Sequence, residues 1–432
     1  MSVDSTSSQP GPEHLRRLTR SEWVLILALA AIQFTHIVDF VILMPLGDRL
    51  MHELAISPRL FSFLVAAYAL TASVMSLLAA SVIDRFDRRS VVLFLYAGFG
   101  VSTLCCGLAP NYELLLASRA MAGAFGGLAS AAIMAVIGDV FPDARRGRAT
   151  GVVMSAFAVA SIAGLPAGLA LAAEFGRGAP FLTLAALCVP VWIVVSLVMP
   201  SLTGHRQKQR RPAIQELRAV ISQREHLPAF LFNFTLLVGT FTVGSFIGPI
   251  FIANGGFTEH DLAVGYAFAG LLTFFSMNII GRLSDRMNRL KLFRVLGLAT
   301  IGMTLVITNV VPSSLWVGCV MVALFMGCAS GRMIPAQAML VGVPVPAMRG
   351  GFMSVNTAVQ HLGSFCAPML AGAILTKTPD GRLDGYPLVG LIGAIVARAA
   401  ILRAGRIRPA ARATPTQVLA TTVEIEKEPV AV

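Results

Sequence analysis

The chain has 432 residues, 56% of them hydrophobic and 13% charged, with a net charge of +12 and a mean hydropathy of +0.76. A soluble domain carries about 25% charged residues, so this composition excludes a water-soluble globular enzyme, a disordered chain and a fibre. The basic excess does not require nucleic acid, because in a polytopic membrane protein Lys and Arg gather in cytoplasmic loops and set the topology.

The first 21 residues are polar and include Arg16, Arg17 and Arg20. They are expected to form a cytoplasmic tail, since the first apolar run is too long to be a cleaved leader. Twelve apolar runs follow, near 22–47, 58–81, 91–109, 112–138, 149–173, 177–199, 228–253, 262–282, 292–311, 315–341, 352–375 and 386–405. A spanning helix needs about 20 residues, and in lipid an unbroken apolar run must be helical to satisfy its own backbone. The chain therefore reads as all-α, with an N-terminal six-helix half over 22–199 and a C-terminal half over 228–405. Between them lies a basic linker, 200–227, with Arg206, Lys208, Arg210 and Arg211 followed by a short helical stretch at 214–222. Residues 406–432 form a second polar tail. Cys105, Cys106, Cys188, Cys319, Cys328 and Cys366 all fall in apolar runs without metal-ligand spacing, as small buried hydrophobes do.

With the N-terminus inside, 26 of the 34 basic residues fall on the cytoplasmic side. Five fall outside (Arg49, Arg59, Arg177, Lys377 and Arg382), and three lie within spans (Arg119, Arg332 and Arg398). This asymmetry predicts that both termini are cytoplasmic. Arg398 lies close enough to the end of its span to snorkel.

The halves repeat. Asp84-Arg85 after span two and Asp285-Arg286 after span eight are 201 residues apart. Met154 and Gly164 of span five match Met353 and Gly363 of span eleven at an offset of 199. Duplicated six-span units are a usual architecture of secondary transporters, with the substrate site near mid-membrane between them.

The span-two loop resembles the major facilitator signature G-x-x-x-D-[RK]-x-G-[RK]-[RK]: Asp84, Arg85, Arg88 and Arg89 match, while Ala80 and Asp87 replace its glycines. Asp87 keeps a left-handed turn available. Arg119 and Gly123 resemble the family's R-x-x-x-G element in span four, and Asp39 precedes Pro45 as in the drug and sugar efflux branch. Gly164-Leu165-Pro166-Ala167-Gly168 is similar to the antiporter element of span five, in the form seen in predicted arabinose efflux permeases. The resemblance covers about residues 22–405 and implies a major facilitator fold. It also implies that Asp84, Arg85, Arg88, Arg89 and Asp139, with Asp285 and Arg289 in the second half, form a network that latches the cytoplasmic gate. Gly123, Gly164, Pro166 and Gly168 read as positions for close helix packing and bending.

A charge inside a span costs about 2.5–3.5 kcal/mol on insertion scales, so such residues are the first functional candidates. Gln33, His36 and Asp39 share one face of the first span. They form either a protonatable stripe on a cavity or a hydrogen-bonded helix seam. Asp39 lies eight residues before the outer end of its span and Arg119 seven residues past the outer start of its own. The two are therefore expected at equal depth as one coupled site, with His36 as a further proton-coupling group. Arg332, flanked by Gly331 and Pro335 where local unwinding is expected, joins Gln337, Asn356, Gln360 and His361 as substrate-cavity candidates.

No nucleotide loop, metal-ligand set or nucleophile motif is present, so neither an enzyme nor a metal or cofactor is expected. Uphill work would draw on a proton gradient. The expected function is proton-coupled efflux of a small amphipathic compound, such as a drug or sugar, by a monomer of the bacterial cytoplasmic (inner) membrane with both termini in the cytoplasm. Its partners would be that substrate, protons and the lipid bilayer, with no nucleic acid. Proton-coupled uptake of a sugar or metabolite is the alternative, and a non-transporting sensor the remote one.

Overall fold

The structure is a computed structural model that describes residues 18–83, 86–202, 213–312, 314–345 and 348–407. It is a helical bundle. In the first half α1 (Arg20–Ile42), α3 (Pro58–Ile83), α4 (Arg88–Leu108), α5 (Tyr112–Val140), the pair α6 (Asp143–Val159) and α7 (Leu165–Phe175), and α8 (Ala179–Val198) make six crossings, and α2 (Gly47–Glu53) caps the first. The linker carries α9 (Ala213–Ser222). The second half repeats the plan with α10 (Leu227–Gly244) and its short continuation α11 (Ile247–Gly255), α12 (Glu259–Arg286) and α13 (Arg289–Asn309). The pair α14 (Leu315–Gly331) and α15 (Met333–Leu340), then α16 (Arg349–Ile374) and α17 (Tyr386–Ala404), complete it. Eleven segments among the described residues are long and apolar enough to cross a membrane. The twelfth expected crossing, α16, has the length but carries Asn356, Gln360 and His361. It sits between α3 and α10, where those polar groups meet protein.

Four expected spans are broken, each near a proline: the run 228–253 parts between Gly244 and Ile247, just ahead of Pro249. The run 22–47 ends its helix at Ile42, because Pro45 has no N–H to continue the ladder. In span five, residues Ala160–Gly164 widen into a π turn just ahead of Pro166, whose ring would clash with the carbonyl four residues earlier in a regular helix. Span ten breaks at Arg332, three residues before Pro335, as its flanking residues suggested. Asp87 departs from expectation: with φ −59 and ψ 129 it uses no left-handed turn. It begins α4 and accepts a hydrogen bond from Leu202 N–H at 2.6 Å. A small antiparallel hairpin, β1 (Thr376–Lys377) with β2 (Leu383–Asp384), joins α16 to α17 where a plain loop was expected.

The halves meet along α3 with α16 and along α7 and the π turn with α12. At the end away from the termini one apolar cluster unites them: Leu46, Leu50, Phe61 and Leu169 from the first half pack with Phe246, Ile250, Tyr266 and Met321 from the second. At the terminus-bearing end each half keeps its own cluster, with Leu77 alone leaning across from α3 among the residues grouped there. The bundle is thus sealed at one end and divided at the other.

Candidate functional site

The first half concentrates its buried polarity around α1. Asp39 and Arg119 are both fully buried, and Arg119 Nη1 donates to Asp39 Oδ2 at 2.7 Å and to its backbone carbonyl at 3.1 Å. Thr103 of α4 donates its hydroxyl to Asp39 Oδ1 at 3.3 Å. The guanidinium lies 4.7 Å from the centroid of the Tyr68 ring, a cation–π placement that helps hold it in a water-poor setting. Arg119 Nε and Nη2 have no hydrogen-bond partner among the described residues.

One turn before Asp39, the His36 ring packs between Tyr68 and Phe99, each with its centroid 5.7 Å away. It fits because α5 offers Gly126 there: a Cβ at that position would come within 2.5 Å of Nε2. Among the described residues His36 Nε2 is buried without a hydrogen-bond partner. Gln33, a further turn back, accepts from the Ser130 hydroxyl at 3.4 Å. The stripe expected on α1 therefore faces α3, α4 and α5.

In the second half the polar candidates divide. Asn233 Nδ2 donates to Asn356 Oδ1 at 2.9 Å and to its carbonyl at 3.2 Å, so Asn356 is used in a seam between α10 and α16. Gln360 and His361 lie half-buried one turn further along α16, and Gln337 is half-buried on α15. Arg332, fully buried at the break between α14 and α15, donates Nη2 to the Thr240 hydroxyl at 2.6 Å.

Of the gate residues, Asp84 and Arg85 lie outside the described residues. Arg88 Nε donates to Asp139 Oδ2 at 2.9 Å, tying α4 to α5 within the first half. Arg89 donates to the Ser196 carbonyl of α8 at 2.6 Å, again within that half. Asp285 is exposed, and Arg289 reaches the Ala338 carbonyl at 3.5 Å. The described gate pairs thus brace each half and do not join the two. Gly123 lies against the backbone of Tyr68, Gly164 against Val38 and Gly168 against Ile42, so all three permit close helix approach.

One pair that does join the halves was not singled out in the sequence. Arg49 of α2 donates Nε to Glu259 Oε1 of α12 at 2.5 Å and Nη1 to the Ala172 carbonyl of α7. Arg177 pairs with Glu53 at 3.2 Å beside it. Partial burial pushes the nearby Asp48 carboxyl above its usual range, against the pull of Lys377 and His52. Among the described residues no group of three His, Cys, Asp or Glu converges as a metal site.

The profile of the Major Facilitator Superfamily matches residues 29–368. The chain is 24% identical to the uncharacterized MFS-type transporter YceJ of Bacillus subtilis strain 168, over 87% of this chain and 95% of that one. It is 24% identical to the chloramphenicol resistance protein of Streptomyces lividans, over 77% and 84% of the two chains, and 24% to multidrug resistance protein 1 of Bacillus subtilis, over 77% and 85%. Among solved structures, a bacterial homolog of the human lysosomal transporter Spinster, inward-facing and unoccupied, superposes with a TM-score of 0.71 at 15% identity, covering 90% of this chain and 98% of that one. The nucleoside transporter NupG, as its D323A mutant, gives 0.72 at 12% identity, covering 89% and 99%.

Proposed function

The chain belongs to the Major Facilitator Superfamily, so it is a membrane transporter and not an enzyme, and we propose that it exports a small amphipathic compound in exchange for protons. The observation that carries this reading is the Asp39–Arg119 pair, sealed from solvent and held by α1, α4 and α5. A transporter driven by a proton gradient needs an ionisable group that changes state during the cycle, and intramembrane carboxylates serve that role. In this pair the Coulomb attraction favours the charged carboxylate and desolvation the protonated one. A helix movement that shifts Arg119 by one or two ångströms tips the balance. His36, one turn away and open at Nε2, is the group through which a proton reaches or leaves Asp39.

The sealed end is read as external and the divided end as cytoplasmic, which agrees with the excess of basic residues on the terminus-bearing side. The conformation is then inward-facing, ready to take substrate from the cytoplasm or its membrane leaflet. The resemblance to drug-resistance relatives supports the export direction. The experiment is a transport screen in energised inverted vesicles of a bacterial inner membrane. Exported compounds accumulate in the lumen and dissipate an imposed pH gradient. Loss of the same gradient with substrate leaving the lumen identifies an uptake symporter and overturns the reading. Labelling of Gln209→Cys and Asn111→Cys by an impermeant thiol reagent tests the topology: residue 209 is expected inside and residue 111 outside.

A further inference from the structure

The buried guanidinium groups of Arg88, Arg119 and Arg332 are not equivalent, and that of Arg88 is matched by Asp139. The charge of Arg119 is matched by Asp39. Arg332 is equally buried, yet among the described residues its single hydrogen bond is to a neutral hydroxyl, that of Thr240, while Nε and Nη1 have no partner. No carboxylate among the described residues pairs with it. A guanidinium does not shed its proton to relieve such a position. A buried cation without a counter-charge is strongly unfavourable, and a single hydroxyl acceptor does not cancel it.

We infer that Arg332 receives an anionic group of the transported compound, so that the substrate class is an amphipathic organic anion such as an aromatic carboxylate. The inference rests on the transport reading above but not on its proton coupling or direction. Thr240 is half-buried on α10, and the next residue, Phe241, meets Phe40 of α1 with ring centroids 5.9 Å apart. The hydroxyl that holds Arg332 thus lies one residue along α10 from the seam between the halves and from an aromatic pair suited to an apolar ring. A carboxylate that displaced this hydroxyl at Nη2 would find the free Nε–H beside it, completing the two-pronged geometry that arginine offers to carboxylates. The guanidinium also sits at the break between α14 and α15, where a small change of backbone angle moves it without disturbing a continuous helix. The two halves then divide the work: protons are carried beside α1, and the anion is held by α10 and the α14–α15 break.

The test is a thermal melt of the purified full chain in detergent, at constant ionic strength, with benzoate and salicylate compared with benzamide, salicylamide and chloride. The two acids are expected to raise the melting temperature in a saturable way, and the amides and chloride are not. Arg332→Gln is expected to lower the apparent affinity for the acids at least tenfold, about 1.4 kcal/mol. Arg332→Lys should retain part of it, because it keeps the charge but not the fork. Arg398→Gln, at an exposed position on α17, is the control and should respond as the wild type does. Equal responses to acid and amide, an equal response to chloride, no response of the wild type to either acid, or an unchanged response in Arg332→Gln would each overturn the assignment. If Arg332→Gln does not fold, the acid–amide contrast in the wild type and the partial retention by Arg332→Lys decide it. The melt needs no gradient, so a failure of proton-driven export in vesicles leaves its outcome untouched.

Discussion

At the scale of single residues, the Asp39–Arg119 pair allows stability and coupling to be separated. Removing one partner of a buried ion pair strands the other charge and costs about 3–5 kcal/mol. Arg119→Ala does this to Asp39, which keeps only the 3.3 Å bond from Thr103. Asp39→Asn leaves the Arg119 charge without a carboxylate, but it is milder because the amide oxygen still accepts from Nη1 and no cavity is opened. Thermal melts of the purified proteins should therefore rank wild type above Asp39→Asn and Asp39→Asn above Arg119→Ala. The double variant Asp39→Asn with Arg119→Gln should recover much of the loss, because no charge remains buried there. In vesicles Asp39→Asn should abolish uphill, gradient-driven transport while sparing downhill exchange of substrate. Full gradient-driven transport in Asp39→Asn would move the proton-carrying role to His36 or His361. This pair was legible in the sequence because an intramembrane charge is costly and two opposite charges at one depth imply each other. Thr103 and Tyr68 were not, since Thr and Tyr are ordinary helix-packing residues and only the fold brings them to Asp39 and Arg119.

At the scale of elements, the crossings were legible from long apolar runs and the breaks from prolines, but the purpose of a break is a tertiary fact. The π turn ahead of Pro166 sets the Ser161 carbonyl against Gly270 of α12, where an added Cβ would stand 2.5 Å from that oxygen. This is a close contact between the two halves, and glycine is required by the approach. Gly270→Ala should force the helices apart at a cost of about 1–3 kcal/mol, as overpacking does. Gly281→Ala on the same helix, where nothing lies within 4 Å, should be neutral. The comparison is made by melting temperature and initial transport rate. Loss of transport in both variants, or in neither, would detach the π turn from the transport cycle. The seam of Asn233 with Asn356 belongs to the same scale. Interhelical hydrogen bonds in membranes average only about 0.6 kcal/mol, so Asn233→Ala should lower the melting temperature slightly and leave substrate selectivity unchanged.

At the scale of the whole molecule, the sequence displays its duplication but not the contacts that hold the halves in one state. Asp84 and its neighbours drew attention because they match a motif, yet the described members of that set, Arg88 with Asp139 and Arg89 with Ser196, brace a single half. Among the described residues the ion pair between the halves is that of Arg49 and Glu259, 210 residues apart, and in the sequence both look like ordinary loop and helix-start charges. Their side chains are 24% and 13% exposed, so the pair is partly shielded, and Arg49 is also anchored to the Ala172 carbonyl. Such a pair contributes about 1 kcal/mol, and because it exists only while this end is closed, its whole contribution biases the alternating-access equilibrium. One kcal/mol is about fivefold in the ratio of two conformers. Arg49→Gln should therefore shift the population toward the state open at the end remote from the termini. Spin labels at His52→Cys and His260→Cys, both exposed and on opposite halves, would report the change in a background whose native cysteines are replaced. The long-distance fraction between the labels should rise in Arg49→Gln, and should rise also for the unmodified pair at high salt, where partly exposed charges are screened. Identical distance distributions in Arg49→Gln and its parent would reduce the pair to a surface contact. The closed state would then rest on the apolar cluster around Phe61, Phe246 and Ile250, which salt does not weaken.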